Sequence, residues 1–214
     1  MPSRAEAGLP DRGFVFCCFN NSYKIAQPVF EIWMRLLKAV PGSVLWLFQP
    51  NSLAAENLRR EAQACRVEPE RLVFAPSIDL PDHVARQQLA DLFLDTLPYN
   101  AHATASASLW AGVPVLTCMG KTFPGRVGAS LLRAVGLPEL VTQNLADYEA
   151  LGLRLATDPG LLASIRGRLA SNRKTWPLFD SKRFCRHLET AYARMWEIFA
   201  RGEPPRSFSV PMNS

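Results

Sequence analysis

Short apolar runs alternate along the chain with longer stretches in which apolar residues recur at every third or fourth position. The apolar runs are rich in Val, Phe and Leu and predict five strands, at residues 14–19, 43–47, 72–74, 92–95 and 114–117. The longer stretches predict helices at residues 29–40, 53–65, 83–90, 127–135, 145–156 and 159–170. Because strands alternate with helices and are apolar throughout, we expect a parallel sheet covered on both faces. The sequence therefore predicts an α/β fold built on a doubly wound, Rossmann-like parallel sheet.

The pattern changes at Trp176, where the following proline interrupts the helical spacing. Beyond it, apolar residues return at helical spacing in a closing helix that includes Phe184, Leu188, Tyr192 and Met195. We therefore divide the chain into an amino-terminal arm at residues 1–12, the Rossmann-like lobe at residues 13–175, the closing helix at residues 176–202 and a loose tail at residues 203–214.

The composition fits one globular domain with a bias toward small anionic ligands. The 214 residues are 48% hydrophobic, which is enough to bury a core, and the formal net charge is +5. The positive net charge is the only feature that favours a nucleic-acid-binding domain. Because the basic residues are scattered among acidic ones and form no basic tract, we expect no nucleic acid partner. No apolar run is long enough to span a membrane and the start is polar, so we expect a cytoplasmic protein that contacts no membrane. The five cysteines lack a metal-binding spacing and are expected to be reduced.

Polar residues cluster in three loops that follow predicted strands, which is where ligands bind in an open parallel sheet. The first loop, residues 20–24, comes directly after the first strand and includes Asn21 and Lys24. Its side-chain amides and its ammonium group suit phosphate oxygens. The same residues also suit an Asx turn that starts the next helix, with Lys24 solvated, and both interpretations stand.

The second loop, residues 98–108, is rich in Ala, Ser and Thr and leads into a further predicted helix around Trp110. Small residues allow a ligand to approach free backbone N–H groups, and the partial positive charge of a helix start favours a diphosphate there. Thr104 adds a hydroxyl group. His102 is placed to donate a hydrogen bond to a phosphate or a sugar, although a neutral histidine that caps the loop also fits. The chain has neither a Gly-x-Gly-x-x-Gly nor a Gly-Lys-Ser/Thr motif, which argues against a dinucleotide-dependent enzyme or an NTPase.

The third loop, residues 75–86, has the features of a base-binding rim. Backbone groups of residues 75–79, Ile78 among them, are free to contact a nucleobase edge. His83 and Arg86 are three residues apart and therefore share one helix face, from which they can stack on the base and bond to it. A solvated helix start with an ordinary His and Arg fits the same residues.

Several short segments spread along the chain carry a family resemblance. They are Phe-Asn-Asn-Ser-Tyr-Lys-Ile at residues 19–25, Ser-Val-Leu-Trp-Leu at residues 43–47, Leu-Ala-Asp at residues 89–91, Leu-Asp-Thr at residues 94–96 and Leu-Trp-Ala-Gly-Val-Pro-Val at residues 109–115. Together with residues 126–130 and 177–179, they resemble the O-linked N-acetylglucosamine transferases, above all the bacterial members that carry tetratricopeptide repeats. The resemblance runs from about residue 9 to residue 210 and covers the carboxyl-terminal lobe of the family's GT-B architecture, which is the lobe that holds UDP.

The resemblance implies a role for the residues of the first two loops. Asn21 and Lys24 would face the diphosphate, and Lys24 would stabilise the negative charge of the leaving UDP. His102, Thr104 and the backbone N–H of Ala103 would complete the contacts to the diphosphate and the sugar. Lys24 and His102 are therefore the two residues for which the resemblance implies a catalytic role.

At the other end of the ligand, the resemblance implies that uracil meets His83 and Arg86, with Ile78 in the same rim. The chain departs from the family's pattern at four positions, with Tyr99 for a Cys near the sugar, Leu80 for a Lys beside the nucleoside, Ala103 for a Thr and Ala107 for a ribose-binding Asp. These departures bear on the affinity for UDP and on the identity of the nucleotide and the donor sugar.

The resemblance implies an inverting transfer of a sugar, N-acetylglucosamine in the family, from a UDP donor to a protein serine or threonine, without a metal or other cofactor. The partners would be the UDP-sugar, a protein or peptide acceptor, and an amino-terminal catalytic lobe with tetratricopeptide repeats, in the same chain or another. The isolated chain is expected to be inactive alone. The alternative is a catalytically degenerate module that binds nucleotide weakly or serves as a protein-interaction surface.

Overall fold

The computed structural model describes residues 2–211, so the first residue of the predicted arm and the last three residues of the predicted tail lie outside the described residues. The strands are β1 (Val15–Cys18), β2 (Val44–Phe48), β3 (Leu72–Ala75), β4 (Leu92–Leu94), β5 (Val115–Cys118) and β6 (Val141–Thr142). They form one parallel sheet in the order β3-β2-β1-β4-β5-β6. This order confirms the predicted doubly wound sheet, and its direction reverses between β1 and β4, where such sheets open a ligand crevice.

Helices cover both faces of this sheet. They are α1 (Gln27–Ala39), α2 (Ser52–Ala64), α3 (Leu80–Gln87), α4 (Ala103–Ala111), α5 (Val127–Ala134), α6 (Leu145–Thr157), α7 (Pro159–Thr175) and α8 (Ser181–Ala200). Four of the helices begin after an Asn or Asp whose side chain accepts a hydrogen bond from the first helical turn, namely Asn51, Asn144, Asp158 and Asp180. Such caps fix where a helix starts, because they satisfy backbone N–H groups that the helix leaves unpaired.

Several elements differ from the sequence prediction. Helix α4 begins at Ala103, inside the segment predicted as the loop at residues 98–108. The closing helix, predicted at residues 176–202, begins only at Ser181, because a 3₁₀ turn precedes it and Asp180 caps its start.

Helix α3 begins at Leu80 rather than at residue 83, because Pro81 occupies the first turn, where its missing N–H costs no hydrogen bond. Strand β6 has only two residues and was not predicted, since so short a segment carries no alternating pattern. Helix α7 continues to Thr175, past the predicted end near residue 170, and Asn172 in this extension donates a hydrogen bond to the Val135 carbonyl.

The centre of the sheet is fully buried, and a hydrogen-bonded path connects it to the helices. All four residues of β1 are inaccessible to solvent, as predicted for a strand covered on both faces. On one face, the Trp33 indole N–H of α1 donates to the Tyr148 hydroxyl of α6 at 3.1 Å, and this hydroxyl donates to the Asp95 backbone carbonyl at 3.0 Å. Both aromatic side chains are buried, so α1 and α6 are held against the carboxyl end of β4.

Helix α8 differs from the other helices because most of its apolar side chains are exposed. The exposed set is Phe184, Leu188, Tyr192, Met195, Trp196 and Phe199, whereas Ile198 is buried. Residues 203–211 follow α8 without helix or strand. All five cysteines are free. In the described part of the chain, no helix combines the length and the apolar character that a membrane crossing requires.

Candidate functional site

A cavity of about 410 Å³ lies at the carboxyl edge of the sheet, beside the reversal of strand order. We call it the edge cavity. Its α4 end, formed by the β1 end and the start of α4, is lined by Phe19, Asn20, Asn21, Tyr23, Lys24 and Thr104. Its α3 end, formed by the β2 end, the β3–α3 loop and α3, is lined by Phe48, Ser77, Ile78, Leu80, His83 and Arg86. The volume falls in the range of small-molecule sites.

Lys24 places an ammonium group at the α4 end. A short 3₁₀ turn, Ser22–Lys24, follows β1 and directs the side chain toward the β4–α4 loop. There Nζ donates to the Asn100 carbonyl at 3.2 Å and lies 4.0 Å from the centroid of the Tyr99 ring. Burial lowers the pKa of Lys24, although the nearby Asp95 carboxyl opposes this shift. An ammonium has three N–H donors, so the group remains suited to an anionic ligand in the cavity.

Tyr99 connects Lys24 to the second predicted catalytic residue. Its ring stacks on the His102 ring with 5.1 Å between centroids and 24° between planes, while the other contact of the ring is with the Lys24 ammonium. His102 Nε2 lies 3.3 Å from the Pro124 carbonyl oxygen, which can only accept a hydrogen bond. Nε2 therefore carries the proton in this contact, and a neutral His102 offers Nδ1 as an acceptor.

The start of α4 presents unpaired backbone donors next to these side chains. The first hydrogen bond of the helix runs from the Ser106 N–H to the His102 carbonyl, so the N–H groups of residues 103–105 have no partner within the helix. Among the described residues, no side chain caps this start. Ala103 is exposed and its methyl leaves the backbone accessible. The helix start therefore adds partial positive charge to that of Lys24.

A buried polar network supports the α4 end from below. Asn20, at the end of β1, donates through Nδ2 to the Thr96 hydroxyl at 2.7 Å, and the Thr104 hydroxyl lies 2.6 Å from Asn20 Oδ1. The Thr96 hydroxyl in turn donates to the Tyr99 carbonyl at 2.7 Å. The network thus joins β1, the loop after β4 and the start of α4.

Asp95 anchors the loop that carries Tyr99. One carboxyl oxygen accepts from the backbone N–H groups of Thr96 at 2.8 Å and Ala101 at 2.6 Å, and the other accepts from the Thr117 hydroxyl at 2.7 Å. A side chain at Gly128 would place its Cβ 2.5 Å from this second oxygen, so only glycine lets α5 pack here. Burial raises the pKa of Asp95 to about 7, although all three hydrogen bonds and Lys24 act in the opposite direction.

Arg86 organises the α3 end. The side chain is buried, and its guanidinium donates to the Pro76 carbonyl at 2.8 Å and to His83 Nδ1 at 3.1 Å. Because guanidinium groups only donate, His83 Nδ1 is a lone pair and the imidazole proton sits on Nε2. Burial, and then the charge of Arg86, lower the pKa of His83 to about 4, so the ring is neutral near pH 7. The ring packs edge-on against Phe19 with 4.9 Å between centroids.

The structure gathers most of the predicted site residues. Six of them line the edge cavity, namely Asn21, Lys24, Ile78, His83, Arg86 and Thr104. Tyr99, His102 and Ala103 do not line it but lie around its α4 end, through the contacts described above. Ala107 is half-buried and lies one helical turn beyond Ala103 on α4.

Sequence reasoning assigned no role to Thr96 or Asp95, and it assigned the Asn20 amide, together with that of Asn21, to phosphate oxygens. The structure corrects the Asn20 assignment, because its amide bonds to the Thr96 and Thr104 hydroxyls. Asn20, Thr96 and Asp95 are each a polar residue at the end of a buried apolar strand, and all three are buried in the fold. A polar residue in that position is the sequence signal for a buried hydrogen-bond network, because a buried polar side chain requires a partner. The partners themselves lie 76 and 84 residues from Asn20 and are brought together only by the sheet.

Residues 2–211 contain no evident set of side chains that could bind a metal ion. No group of three or more His, Cys, Asp or Glu side chains in this range is arranged to hold an ion. The positive charge of the site comes instead from Lys24, Arg86 and the start of α4.

Comparisons with known proteins identify relatives along nearly the whole chain. A probable UDP-N-acetylglucosamine–peptide N-acetylglucosaminyltransferase of Arabidopsis thaliana is 36% identical over 213 residues, which are 99% of this chain and 22% of that protein. A UDP-N-acetylglucosamine–peptide N-acetylglucosaminyltransferase of Caenorhabditis elegans is 37% identical over 204 residues, or 95% of this chain and 18% of that protein. The chain thus spans about a fifth of the length of these curated relatives.

A solved structure shares the fold. A mutant O-GlcNAc transferase of Thermobaculum terrenum matches 86% of this chain and 36% of its own chain, with a TM-score of 0.81 and 35% identity. The predicted resemblance, and the prediction of a Rossmann-like lobe of a GT-B glycosyltransferase, are confirmed. The model of glycosyl transferase family 41 matches residues 1–188, and the chain belongs to this family.

Proposed function

We propose that this chain is the nucleotide-sugar-binding lobe of a glycosyltransferase that transfers a sugar, N-acetylglucosamine by its relatives' names, from a UDP donor to protein serine or threonine. One observation carries the proposal. A single cavity has the Lys24 ammonium and the open start of α4 at one end, and a neutral His83 beside Arg86 at the other. The first end suits a diphosphate and the second suits a base.

In this proposal, the lobe acts mainly by stabilising charge. Transfer of the sugar leaves negative charge on the UDP diphosphate, and preorganised donors at that position lower the barrier. Lys24 supplies a cation held by the Asn100 carbonyl and the Tyr99 ring, and the N–H groups of residues 103–105 supply dipoles. His102 stacks on Tyr99 and orients it over Lys24, and its Nδ1 is available to a hydroxyl of the sugar.

We further propose that an amino-terminal lobe completes the enzyme. The exposed apolar side chains of α8, from Phe184 to Phe199, support a partner surface, since exposed apolar patches of this kind mark interaction sites. The length of the relatives leaves room for such a lobe. A lobe open to water lacks the enclosure that transfer needs, so we expect no transfer to peptides by the isolated chain. Tetratricopeptide repeats, a cytoplasmic location and a bacterial source stay predictions.

We propose that donor binding needs no divalent metal. Lys24 and the uncapped start of α4 supply the positive charge that a diphosphate requires. Isothermal titration of the chain with UDP, in the presence and absence of EDTA, tests this point. The expected affinities are equal, and loss of binding in EDTA would contradict it.

The same titration tests the proposed function. We expect UDP and UDP-N-acetylglucosamine to bind, and UMP to bind more weakly because it lacks the diphosphate contacts. GDP is the comparison that tests the preference for the base. Absence of binding by all four ligands would favour the alternative, a degenerate module. That alternative has one supporting observation, the small side chains of Ala103 and Ala107 in α4.

A further inference from the structure

Three polar side chains beneath the α4 end form a chain of hydrogen bonds. Thr104 Oγ1 lies 2.6 Å from Asn20 Oδ1, Asn20 Nδ2 lies 2.7 Å from Thr96 Oγ1, and Thr96 Oγ1 lies 2.7 Å from the Tyr99 carbonyl oxygen. Asn20 is 2% exposed and Thr96 is 0% exposed, so bulk water does not replace these partners.

The direction of every bond in this chain follows from its last acceptor. A backbone carbonyl cannot donate, so the Thr96 hydroxyl must donate to Tyr99 and must accept from Asn20. The amide nitrogen of Asn20 therefore faces Thr96, and its amide oxygen faces Thr104. Because an amide oxygen only accepts, the Thr104 hydroxyl gives its single proton to Asn20.

This direction decides which ligand groups Thr104 can contact. The Thr104 side chain lines the edge cavity, but its proton is engaged with Asn20, so only oxygen lone pairs are available to a ligand. The bridging diphosphate of a nucleotide sugar also presents only acceptor oxygens, and two acceptors repel. A hydroxyl or an amide N–H is the complementary ligand group.

We propose that Asn20 is a positioning residue that holds the Thr104 hydroxyl as a hydrogen-bond acceptor for a hydroxyl or N–H group of the donor. The diphosphate is then left to Lys24 and the start of α4. This inference rests on the proposed function and refines it, since it assigns Thr104 to the ribose or the sugar and not to the phosphates.

The first test needs no ligand. Urea unfolding of the wild type, Asn20→Ala, Thr104→Val and the double variant measures whether the two side chains are coupled. We expect the double variant to unfold at nearly the midpoint of Asn20→Ala alone, and we expect a slowly exchanging Thr104 hydroxyl proton in NMR spectra that disappears in Asn20→Ala. Additive changes of the midpoint, together with a rapidly exchanging hydroxyl proton, would overturn the inference.

The second test measures which part of the ligand Thr104 contacts. Calorimetric titrations at pH 8 use inorganic pyrophosphate, UDP and UDP-N-acetylglucosamine as probes. We expect Thr104→Val to leave pyrophosphate affinity unchanged and to weaken a hydroxyl-bearing ligand about tenfold, while Thr104→Ser retains the wild-type affinity. If Thr104→Val already weakens UDP binding, Thr104 contacts the ribose. If it weakens only UDP-N-acetylglucosamine binding, Thr104 contacts the sugar. An equal loss for pyrophosphate would show that the hydroxyl donates to phosphate and would refute the proposal.

Two controls separate positioning from a general loss of structure. Asn20→Ala is expected to weaken the same ligand as Thr104→Val, and the double variant to weaken it no further, whereas damage to the fold would weaken all probes. Thr142→Val removes another buried hydroxyl, one that donates to the Thr117 carbonyl and does not line the edge cavity, and should leave every affinity unchanged. If the wild-type chain bound none of the probes, the proposed function would fail, and the ligand-free test would still decide whether Asn20 fixes the Thr104 hydroxyl.

Discussion

At the α4 end of the edge cavity, buried polar side chains that bond to one another support the lining, whereas at the α3 end half of the lining residues are exposed. Asn20, Thr96 and Asp95 are each at most 2% exposed. By contrast, Ile78 is 42% exposed and Leu80 is 67% exposed. Arg86 is the one buried charge of the α3 lining, and it bonds to the Pro76 carbonyl and to His83.

This difference separates a preorganised region from an adaptable one. Groups that stabilise developing charge act best when they are already held in place, which describes Lys24 and the start of α4. If the α3 end binds a base as proposed, a rim that relies on one buried anchor should tolerate exchange of its exposed residues, and the family resemblance implies such an exchange at Leu80. We therefore expect substitutions at the α4 end to have larger effects than those at the α3 end.

The largest effect is expected for Lys24→Met, which removes the cation and keeps the apolar stem. Transfer by this lobe joined to the proposed amino-terminal lobe should fall by about 10²- to 10³-fold, as for removal of one donor to developing negative charge. The fold should be unchanged, because Lys24 lies in a loop at the cavity surface. The measurement is kcat with a peptide acceptor, alongside the thermal midpoint of the lobe.

Lys38→Met is the matched control for this substitution. Lys38 also donates one hydrogen bond to a backbone carbonyl, that of Cys65 at 3.2 Å, but lies in α1 and does not line the edge cavity. It should retain full turnover. An unchanged kcat in Lys24→Met, or an equal loss in both variants, would remove Lys24 from the role proposed here.

The next effect concerns the pH dependence of stability at the α4 end. Burial raises the pKa of Asp95 to about 7 in the folded chain from an ordinary value near 3.8. The folded state therefore holds this proton more tightly than the unfolded state, so the contribution of Asp95 to stability is complete below pH 4 and is lost as pH rises through 7. Asp95→Asn keeps the shape of the side chain but does not titrate. It should therefore lack this decrease in unfolding free energy, which is on the order of a few kcal/mol between pH 4 and pH 7.

Urea unfolding of both proteins at pH 4, 5, 6, 7 and 8 checks this prediction. Other carboxyl groups titrate in both chains, so the informative quantity is the difference in unfolding free energy between wild type and Asp95→Asn at each pH. This difference should change steadily in favour of Asp95→Asn from pH 4 to pH 7. A constant difference would mean that the Asp95 carboxyl is already ionised in the folded chain at pH 4.

The contrast between the two ends also shows which features of the fold and the site can be predicted from the sequence. Strand and helix order follow from local patterns, and the loops after β1, β3 and β4 were placed at the site because parallel strands end at one edge. The Asn20–Thr96–Thr104 network was not predicted, because its members are 76 and 84 residues apart and their bonds depend on the register of the sheet. The early start of α3 at Leu80 does not follow from the sequence, because Pro81 suits a loop as well as it suits the first turn of a helix.

Ala107→Asp is expected to have an effect of intermediate size, and in the direction of tighter binding. Ala107 follows Thr104 by one turn of α4, is half-buried and does not line the edge cavity. The family resemblance implies a ribose-binding Asp at this position, so we expect a carboxylate there to accept hydrogen bonds from ribose hydroxyls. A charge-assisted bond contributes on the order of 1.5 to 3 kcal/mol, so UDP affinity should rise roughly ten- to a hundredfold. Calorimetric titration with UDP measures the change.

Two comparisons make the Ala107 result specific. Inorganic pyrophosphate should gain nothing from Ala107→Asp, because it has no ribose and the added charge repels it. Ala107→Asn, which accepts a neutral hydrogen bond only, should give a smaller gain for UDP. If UDP affinity were unchanged or reduced, the ribose would lie elsewhere and the degenerate module would become the better account of α4.

The smallest effect is expected at the α3 end, for Leu80→Lys, which restores the residue type that the family resemblance implies beside the nucleoside. Leu80 is exposed, lines the edge cavity and is the first residue of α3, so a lysine there reaches the ligand through solvent and opposes the helix dipole. An exposed charge pair contributes about 0.2–1 kcal/mol, so UDP affinity should rise no more than about fivefold at low salt. The gain in UDP affinity should disappear at high ionic strength, because salt screens the interaction between exposed charges.

Leu53→Lys is the control, at a similarly exposed leucine of α2 outside the cavity, and it should give no gain at either salt concentration. A salt-resistant gain larger than that of Ala107→Asp would reverse the comparison, because it would show that the α3 end holds the ligand as rigidly as the α4 end.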